Sequence, residues 1–563
     1  AAAAAAAARD ESRFLTVPHL KAAGIGETDD GRLFYKRDSV SKLLQFLDDA
    51  TGRYGFIDGL PGTGKSSTIW YKILCLVTEK KATVTWMHFN RWGIIEKHAK
   101  LHYGQSGLVI EKLKGFRPNA LGDKIMEVDT GILVLDGVNQ PMFADTVAAA
   151  QLWKDEDEAK TVYLSMSNKI ERLHPHEEKA FGEGRRMYYT QHSWTLDEFK
   201  EAFIDEDGRR SRLFMENVGI FEKEWEIEED DPSQELERRE SRKRDRTGRK
   251  KFASVLEIVC QKYFVCGGSA RWMLQFTRSE IEDTIASYLD TAESQSAILS
   301  FNLGPRSSVA KTHMYFSAEY LGAGGAAVTM YTIVSERATQ MLVEKKGSDA
   351  VQMLYAQARV IQNPSFFGWV VEADYFSRCR HNNLSLLKKG DPKPTKFECQ
   401  MGSVVEFDCA HFKLLQSYGD SNILRDSVGD LMPTVAGEAS SKIGKPFAWN
   451  QGGYDVVRVE MGLDGTLHLR FGQVTKSATH SLKLQYFREF TSFLSDANYV
   501  VASIEIGFIV PTAELDKFRI THAQVTGAGL LNTVPVYPGV DATTWQQSKE
   551  QDQIVVYGLD IKK

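Results

Sequence analysis

The sequence predicts an α/β protein built in two parts. Two observations carry this. In the first half, short apolar strands alternate with segments of helical period; in the second, helical segments lead into a run of strands interrupted by one helix. The 563 residues, 42% hydrophobic and 26% charged, have ordinary globular composition and suffice for two to four domains.

The elements follow in order. Residues 1–8 are all alanine, without an initiating Met or a signal-like charged start; they read as an artefact, and a native segment with any targeting signal is expected to be missing. Val40, Leu43, Leu44 and Leu47 set a helix over 38–47, and 53–58 is a strand entering a glycine-rich turn. A helix over 66–77 and strands over 83–90, 131–136 and 160–165 complete a parallel sheet. Helical period resumes over 196–203 and 252–263. Between them lie an acidic run, 222–231, and a basic run, 238–251, which read either as a solvated loop or as an import signal or phosphate-contacting arm. Signals are mixed over 279–335, where the domain junction is placed, near 302–313. Helices over 350–361 and 366–379, strands over 404–409, 454–461, 467–475 and 499–510, and a helix over 480–494 make up the rest.

The formal charge of −6 excludes a uniformly basic nucleic-acid coat, so any polyanion site must be local. No window of 18 apolar residues exists, and the longest weakly polar stretch, 321–334, is broken by glycine, which predicts a soluble chain with no membrane partner. The six cysteines form no C-x-x-C pair, which suits a reducing compartment and argues against structural zinc.

Residues 59–66, Gly-Leu-Pro-Gly-Thr-Gly-Lys-Ser, match G-x-x-x-x-G-K-[ST] between a predicted strand and a predicted helix. Gly59, Gly62 and Gly64 let successive amides turn inward around a phosphate, Lys65 brings a cation to the β- and γ-phosphates, and Ser66 is placed to ligate Mg²⁺, with Ser67 beside it. The expected ligand is ATP or GTP with Mg²⁺. The strand ending at Asp136 supplies the carboxylate that holds the metal. Gly137 and Val138 follow it, not the Glu many ATPases use, so either turnover is slow or Asn139 or an acid from elsewhere substitutes. Ser167 or Asn168, ending the next strand, is a candidate sensor of the γ-phosphate. Arg271, just inside a helix after Gly267 and Gly268, either reaches over the nucleotide from a helical lid or makes a surface ion pair.

In the second half, Asp455 enters a Val-rich strand and Gln473 follows 18 positions on, in Gln-Val-Thr. An acid on one strand and such a tripeptide on its hairpin partner is the layout of the PD-(D/E)xK metal-dependent nuclease core, where they hold Mg²⁺ on a scissile phosphate. Glu372, on the upstream helix, is the natural further acid. Thr475 occupies the usual lysine position and Lys476 would point to the other face, so Lys483, one turn into the next helix, or His480 is expected to supply the cation.

With these residues in view, the chain resembles the Crinkler effectors of oomycetes and fungi, and less closely the retrotransposon hot spot proteins of trypanosomes. The resemblance rests on 59–66, on Leu-Asp-Gly-Val at 135–138, on Ser-Trp-Thr-Leu-Asp-Glu at 193–198, on 263–273 with its Gly-Gly-Ser-Ala-Arg, on 449–455, and on 473–484; it spans about residues 33–530. It implies a P-loop NTPase, with an AAA- or STAND-like parallel sheet and a helical lid, joined to a restriction-endonuclease-like α/β domain. It further implies secretion, entry into a host cell, and action in the host nucleus on double-stranded DNA or nuclear proteins. The family's N-terminal header, with its Leu-Phe-Leu-Ala-Lys phrase, does not occur here. The expected organisation is a tail (1–32), a nucleotide-binding core (33–190), a helical lid with a charged insertion (191–300), a junction (301–340) and the nuclease-like domain (341–563).

Two functions follow as expectations: an ATP-dependent or ATP-regulated, Mg²⁺-dependent DNA endonuclease, or a signalling ATPase whose degenerate nuclease fold grips DNA or a host protein without cutting. Gln473 and Thr475, standing where Glu and Lys would be strong, favour the second. A replication or repair motor is weakened by the missing Glu and the single phosphate loop.

Overall fold

The structure, a computed structural model, describes residues 13–26, 30–90, 93–113, 120–138, 142–166, 185–205, 209–227, 251–290, 315–321, 327–361, 364–381, 383–397, 404–407, 409, 412–413, 416, 421–433, 440–446, 453–540 and 543–561. It is a mixed α/β protein that divides into two compact units, one of residues up to 232 together with 252–338, the other of 233–251 and 339–563. The expected junction centre, 302–313, lies outside the described residues, as do 228–231 of the acidic run and 238–250 of the basic run.

In the first unit, helix α1 (Asp38–Asp49) precedes strand β1 (Tyr54–Gly59), helix α2 (Lys65–Lys80) and strand β2 (Val84–Phe89). A hairpin follows, β3 (Ile95–Gly104) and β4 (Gly107–Lys112), and then β5 (Ile132–Asp136), β6 (Thr161–Ser165) and β7 (Arg186–Gln191). They form one sheet in the order β4-β3-β2-β5-β6-β1-β7. The strands β2, β5, β6, β1 and β7 are parallel. Strands β1, β5 and β6 are buried along their whole length, as central strands covered on both faces must be. Alternation sends Ile57 and Val134 into one core, with Trp70 and Tyr163, and Phe56 and Leu135 into another, with Trp153. The hairpin departs from the all-parallel expectation: β3 and β4 extend the edge of β2 antiparallel, with a half-exposed, polar-rich pattern that carries no strong apolar run.

Helices α3 (Leu196–Phe203), α4 (Val255–Cys266), α5 (Ala270–Gln275) and α6 (Arg278–Asp290) follow, then a hairpin of β8 (Tyr315–Leu321) and β9 (Ala327–Ile333). Helix α4 starts at Val255, not at 252, because Ser254 and Glu257 close a reciprocal capping box that fixes where the helix begins. The α3 helix is started in the same way by Thr195 and Glu198.

In the second unit, helices α7 (Ser348–Ile361) and α8 (Pro364–Arg380) precede strands β10 (Ser385–Lys388), β11 (Thr395–Lys396), β12 (Val404–Phe407), β13 (Ser440–Pro446), β14 (Val456–Met461) and β15 (Leu467–Val474). The two-residue strand β16 (Leu482–Lys483), helix α9 (Leu484–Asp496), β17 (Val501–Pro511) and β18 (Val555–Leu559) close it. The main sheet has the order β11-β10-β18-β17-β15-β14-β13-β12. Its centre is an antiparallel meander β13–β14–β15, followed by α9 as a crossover to β17, which lies parallel to β15. Leu484, Phe487, Phe490 and Leu494 form the buried stripe of α9 and pack in one cluster with Val457, Val459, Phe471, Ile506 and Phe508. Helix α9 begins four residues later than the expected 480. Leu482 and Lys483 are extended and pair with Val525 and Thr526. Among the described residues, no helix is long and apolar enough to cross a membrane.

Candidate functional site

The turn between β1 and α2 is built from three glycines in conformations that other residues resist. Gly59, Gly62 and Gly64 have φ of 143°, 79° and 94°. A Cβ on Gly59 would lie 2.3 Å from the Gln191 carbonyl oxygen, and one on Gly62 would lie 2.5 Å from Ser269 Oγ. The turn delivers Lys65 and Ser66 to the first turn of a 16-residue helix, where free amides and the helix dipole favour an anion.

Lys65 is 6% exposed, and its ammonium donates to the Gly59 and Leu60 carbonyls at 2.7 and 3.0 Å. Burial pushes it down to about 8, against the pull of Asp136 and Asp58, and Arg271 adds to the lowering. The Ser66 hydroxyl donates to Asp136 Oδ1 at 2.9 Å, and His88 Nδ1 lies 2.8 Å from Oδ2. Burial pushes the Asp136 carboxyl up, but the hydrogen bonds from His88, Ser165 and Ser66 more than offset this and hold it below the usual carboxylate range. Ser67 follows on α2, half-buried. Asn139, Ser167 and Asn168 lie outside the described residues.

The head of α5 meets the turn at Gly62, and Arg37, ahead of α1, meets it at Thr63. The Ala270 amide donates to the Gly62 carbonyl at 3.1 Å, so Ser269 and Arg271 flank the loop; Arg271 Cβ would be 3.3 Å from a Cβ on Gly62. Arg37, 2% exposed, was not singled out in the sequence. Its guanidinium donates to the carbonyls of Thr63 at 3.2 Å and Ser193 at 3.1 Å, donates to His192, pairs with Glu198 Oε2 at 3.1 Å, and sits 4.9 Å over the Trp194 ring. The phrase 193–198 therefore both caps α3 and anchors the arginine that holds the loop. His88 was also missed, because a lone His at a strand end carries no local signal. The set fits a Mg²⁺–nucleoside triphosphate: a buried cation, two adjacent oxygens under a helix N-terminus, and a turn whose glycines hold positive φ, two of them with no room for a Cβ.

In the second unit, the Asp455 amide donates to Gly472 O at 2.9 Å and its Oδ2 accepts from the Val474 amide at 2.7 Å, so this residue brackets Gln473 across β14 and β15. Gln473 Oε1 is buried and accepts no hydrogen bond among the described residues. Burial, and then the negative charge of Glu372 on α8, push the Asp455 carboxyl up to about 8; Lys445 on β13 and the Val474 amide pull the other way. Lys445, 8% exposed, lies 3.2 Å from Glu372 Oε1 and 4.7 Å over the Phe376 ring.

The structure thus brings Glu372, Asp455 and Lys445 together, and sets the backbone on either side of Gln473 against Asp455. Lys483 is not one turn into α9. It ends β16 as the residue before the helix, and the side-chain charges acting on Asp455 are those of Glu372 and Lys445. His480 packs its ring 5.5 Å from Phe508, and the Thr475 hydroxyl accepts from the Ser477 amide in a local turn. Lys445 was illegible because its spacing from Gln473 matches no tripeptide; the sheet order alone brings it in. Among the described residues no group of three or more His, Cys, Asp and Glu side chains is placed to hold a metal. The adjacent acids Asp455 and Glu372 still suit one hard divalent cation that takes its other ligands from water or phosphate.

No family model matches the chain, and no curated protein matches it. Among solved structures it is similar to a chain of the Drosophila ORC bound to DNA, at 11% identity over 63% of this chain and 80% of that one, with a TM-score of 0.23, a level of likeness that carries no argument about this protein.

Proposed function

We propose that the chain is a P-loop nucleoside triphosphatase, of AAA or STAND type with a helical lid, joined to a PD-(D/E)xK-type, Mg²⁺-dependent DNA endonuclease. The observation that carries the first half is the placement of Lys65 and of the Ser66–Asp136 oxygen pair, 2.9 Å apart, at the head of α2. There the loop amides bind the phosphates of ATP or GTP, Lys65 neutralises charge between them, and Arg271 stands at the rim to meet the γ-phosphate. Bound Mg²⁺ supplies further neutralisation of the transferred phosphoryl group. His88 and Ser66 hold the Asp136 carboxylate ionised and fixed.

The nuclease half is supported by a meander, crossover helix and parallel strand that put Asp455 beside Gln473, with Glu372 and Lys445 next to Asp455. In that site Asp455 and Glu372 are the anionic ligands, Gln473 Oε1 a neutral one, and Lys445 orients Glu372 and faces the scissile phosphate. A Mg²⁺ ion held there would polarise the phosphodiester. By resemblance, the place of action is the nucleus of a host cell and the outcome is host cell death or altered immunity.

A second reading, a signalling ATPase that binds DNA or a host protein without cutting, is favoured by the neutral Gln473 and by Thr475 being engaged in its turn. The deciding experiment incubates the full chain with supercoiled plasmid, with and without Mg²⁺ and ATP, while phosphate release is followed. Nicked or linear plasmid with Mg²⁺ and none with chelator supports the nuclease. Intact plasmid that is nevertheless shifted on a gel supports the second reading, and absence of phosphate release overturns the triphosphatase.

A further inference from the structure

The residue after Asp136, where many ATPases carry a Glu that orients the attacking water, is Gly137. Its φ of 77° is one that a Glu resists. A Cβ on Gly137 would lie 2.7 Å from the Phe89 carbonyl oxygen and 3.7 Å from His88 Cε1. The nearest side chain to the missing one is therefore the His88 imidazole.

His88 and Asp136 are register partners at the carboxyl ends of the parallel neighbours β2 and β5, the end at which such sheets receive their ligands. Asp136 stands between His88 Nδ1 at 2.8 Å and Ser66 Oγ at 2.9 Å, so a single carboxylate separates the imidazole from the head of α2. The ring is held in place. Trp86 lies nearly parallel to it, at 6° and 6.4 Å, and the Trp86 Nε1 donates to the Ala23 carbonyl at 2.9 Å. The next residue is Gly24, and a Cβ there would lie 2.9 Å from His88 Cδ2. Cδ2 and Cε1, the two carbons that flank Nε2, thus each face a residue without a side chain. Nε2 itself makes no hydrogen bond among the described residues, and the imidazole keeps 15% of its surface open to solvent.

The hydrogen bonds of the dyad fix the roles of the two nitrogens. Asp136 is fully buried and held ionised. An ionised carboxylate has no hydrogen to give, so Nδ1 donates, and in the neutral ring Nε2 is then the acceptor.

We propose that His88 is a catalytic residue of the triphosphatase, whose Nε2 accepts a hydrogen bond from the attacking water and aims its oxygen at the γ-phosphorus. The inference rests on the triphosphatase reading and names the group that does the work of the absent Glu. The water oxygen bonds to the γ-phosphorus, and the bond from phosphorus to the β–γ bridging oxygen breaks, its electron pair leaving with the diphosphate. One water proton passes to a γ-phosphoryl oxygen, so the products are a nucleoside diphosphate and dihydrogen phosphate. The imidazole orients the water and keeps its own proton. A neutral hydrogen-bonding side chain suffices for this task, as the water-orienting glutamine of P-loop GTPases shows.

The test uses the full chain and two substitutions that divide the imidazole. Asn can place an amide nitrogen where Nδ1 stands and has nothing at Nε2, whereas Gln reaches the place of Nε2 and leaves Asp136 without its donor. Three quantities are measured: the maximal rate of phosphate release from ATP, the Mg²⁺ needed for half that rate, and the affinity for a fluorescent, non-hydrolysable ATP analogue. His88→Asn should lose about a hundredfold in maximal rate, the scale of a misplaced reactant, with Mg²⁺ requirement and analogue affinity unchanged. His88→Gln should need more Mg²⁺ and turn over faster than His88→Asn once Mg²⁺ is saturating. Should His88→Asn fail to fold, His88→Gln must outpace His88→Ala at saturating Mg²⁺, and equal rates overturn the inference. A parental rate in His88→Asn, or a loss of rate matched by a loss of analogue affinity, overturns it and leaves the triphosphatase standing. A parent that neither binds the analogue nor releases phosphate overturns the triphosphatase reading, and this inference with it.

Discussion

Ser66 and Asp136, 70 residues apart in sequence, meet at 2.9 Å, and the other Asp136 oxygen is held by His88 at 2.8 Å. The carboxylate is thus fixed from both sides before any ligand arrives. Groups that orient a metal ligand in this way are typically worth about 10- to 100-fold in metal affinity or activity. His88→Ala should therefore raise the Mg²⁺ concentration needed for half-maximal ATP turnover by about that factor. A Mg²⁺ titration identical to the parent's would show that His88 only packs against Trp86.

Lys65→Ala should cut ATP turnover by about a hundredfold or more, because it removes the one side-chain cation the loop places at the phosphates. Phosphate release is the measurement, with circular dichroism to confirm folding. A folded variant with parental turnover removes the nucleotide assignment.

The Glu372–Asp455 pair makes the second unit sensitive to pH. An unfolded aspartate titrates near about 3.9. Because Asp455 is pushed up to about 8 in the folded chain, the folded state holds the extra proton between these values. Stability should then fall as pH rises from about 4 to 8, with a slope of at most about 1.4 kcal/mol per pH unit. Asp455→Asn should flatten that slope in chelator, and Mg²⁺ should restore stability to the parent near pH 8 but not to the variant. Urea midpoints across the pH range check this, and the same variant should lose at least about a hundredfold in any Mg²⁺-dependent DNA cleavage.

Lys262, buried in α4, has an ammonium that donates no hydrogen bond among the described residues and sits 4.5 Å over the Phe221 ring. Burial pushes it down to about 8 against Cys266, Glu224 and Glu280. Its folded pKa is below the unfolded value of about 10.4, so the penalty is fully present below pH 8 and fades as pH rises towards 10. Lys262→Met should stabilise the chain at pH 7 by about 1–3 kcal/mol, with the advantage shrinking above pH 8. An advantage independent of pH would mean that packing, not charge, is responsible.

The basic run 238–251 is tested through salt. Replacing Arg242, Lys243, Arg244, Lys250 and Lys251 by Ser should flatten the dependence of DNA affinity on salt, since every phosphate that the chain no longer neutralises lowers the logarithmic slope by about 0.9. An unchanged slope leaves the run a solvated segment.

What the sequence alone determined was local. The strand–turn–helix around 59–66 is legible because glycine conformation, the lysine and the helix start are all set within eight residues, and most helices and strands because their apolar period is set by near neighbours. The α3 cap could be read from Thr195 and Glu198 for the same reason. The tertiary structure decided everything that depends on which strands lie side by side. Arg37 reaches Thr63 and Glu198, 26 and 161 residues away, only because α1 and α3 both meet the loop. His88 finds Asp136 because β2 and β5 are parallel neighbours in register. Lys445 stands beside Glu372 because the order of the sheet brings β13 to α8, and Arg458 faces Arg470 through a pairing that no periodicity specifies. Period and turn chemistry act over a few residues, whereas the burial that orders a sheet is a property of the whole unit. A side chain whose role comes from that order is therefore silent in the sequence.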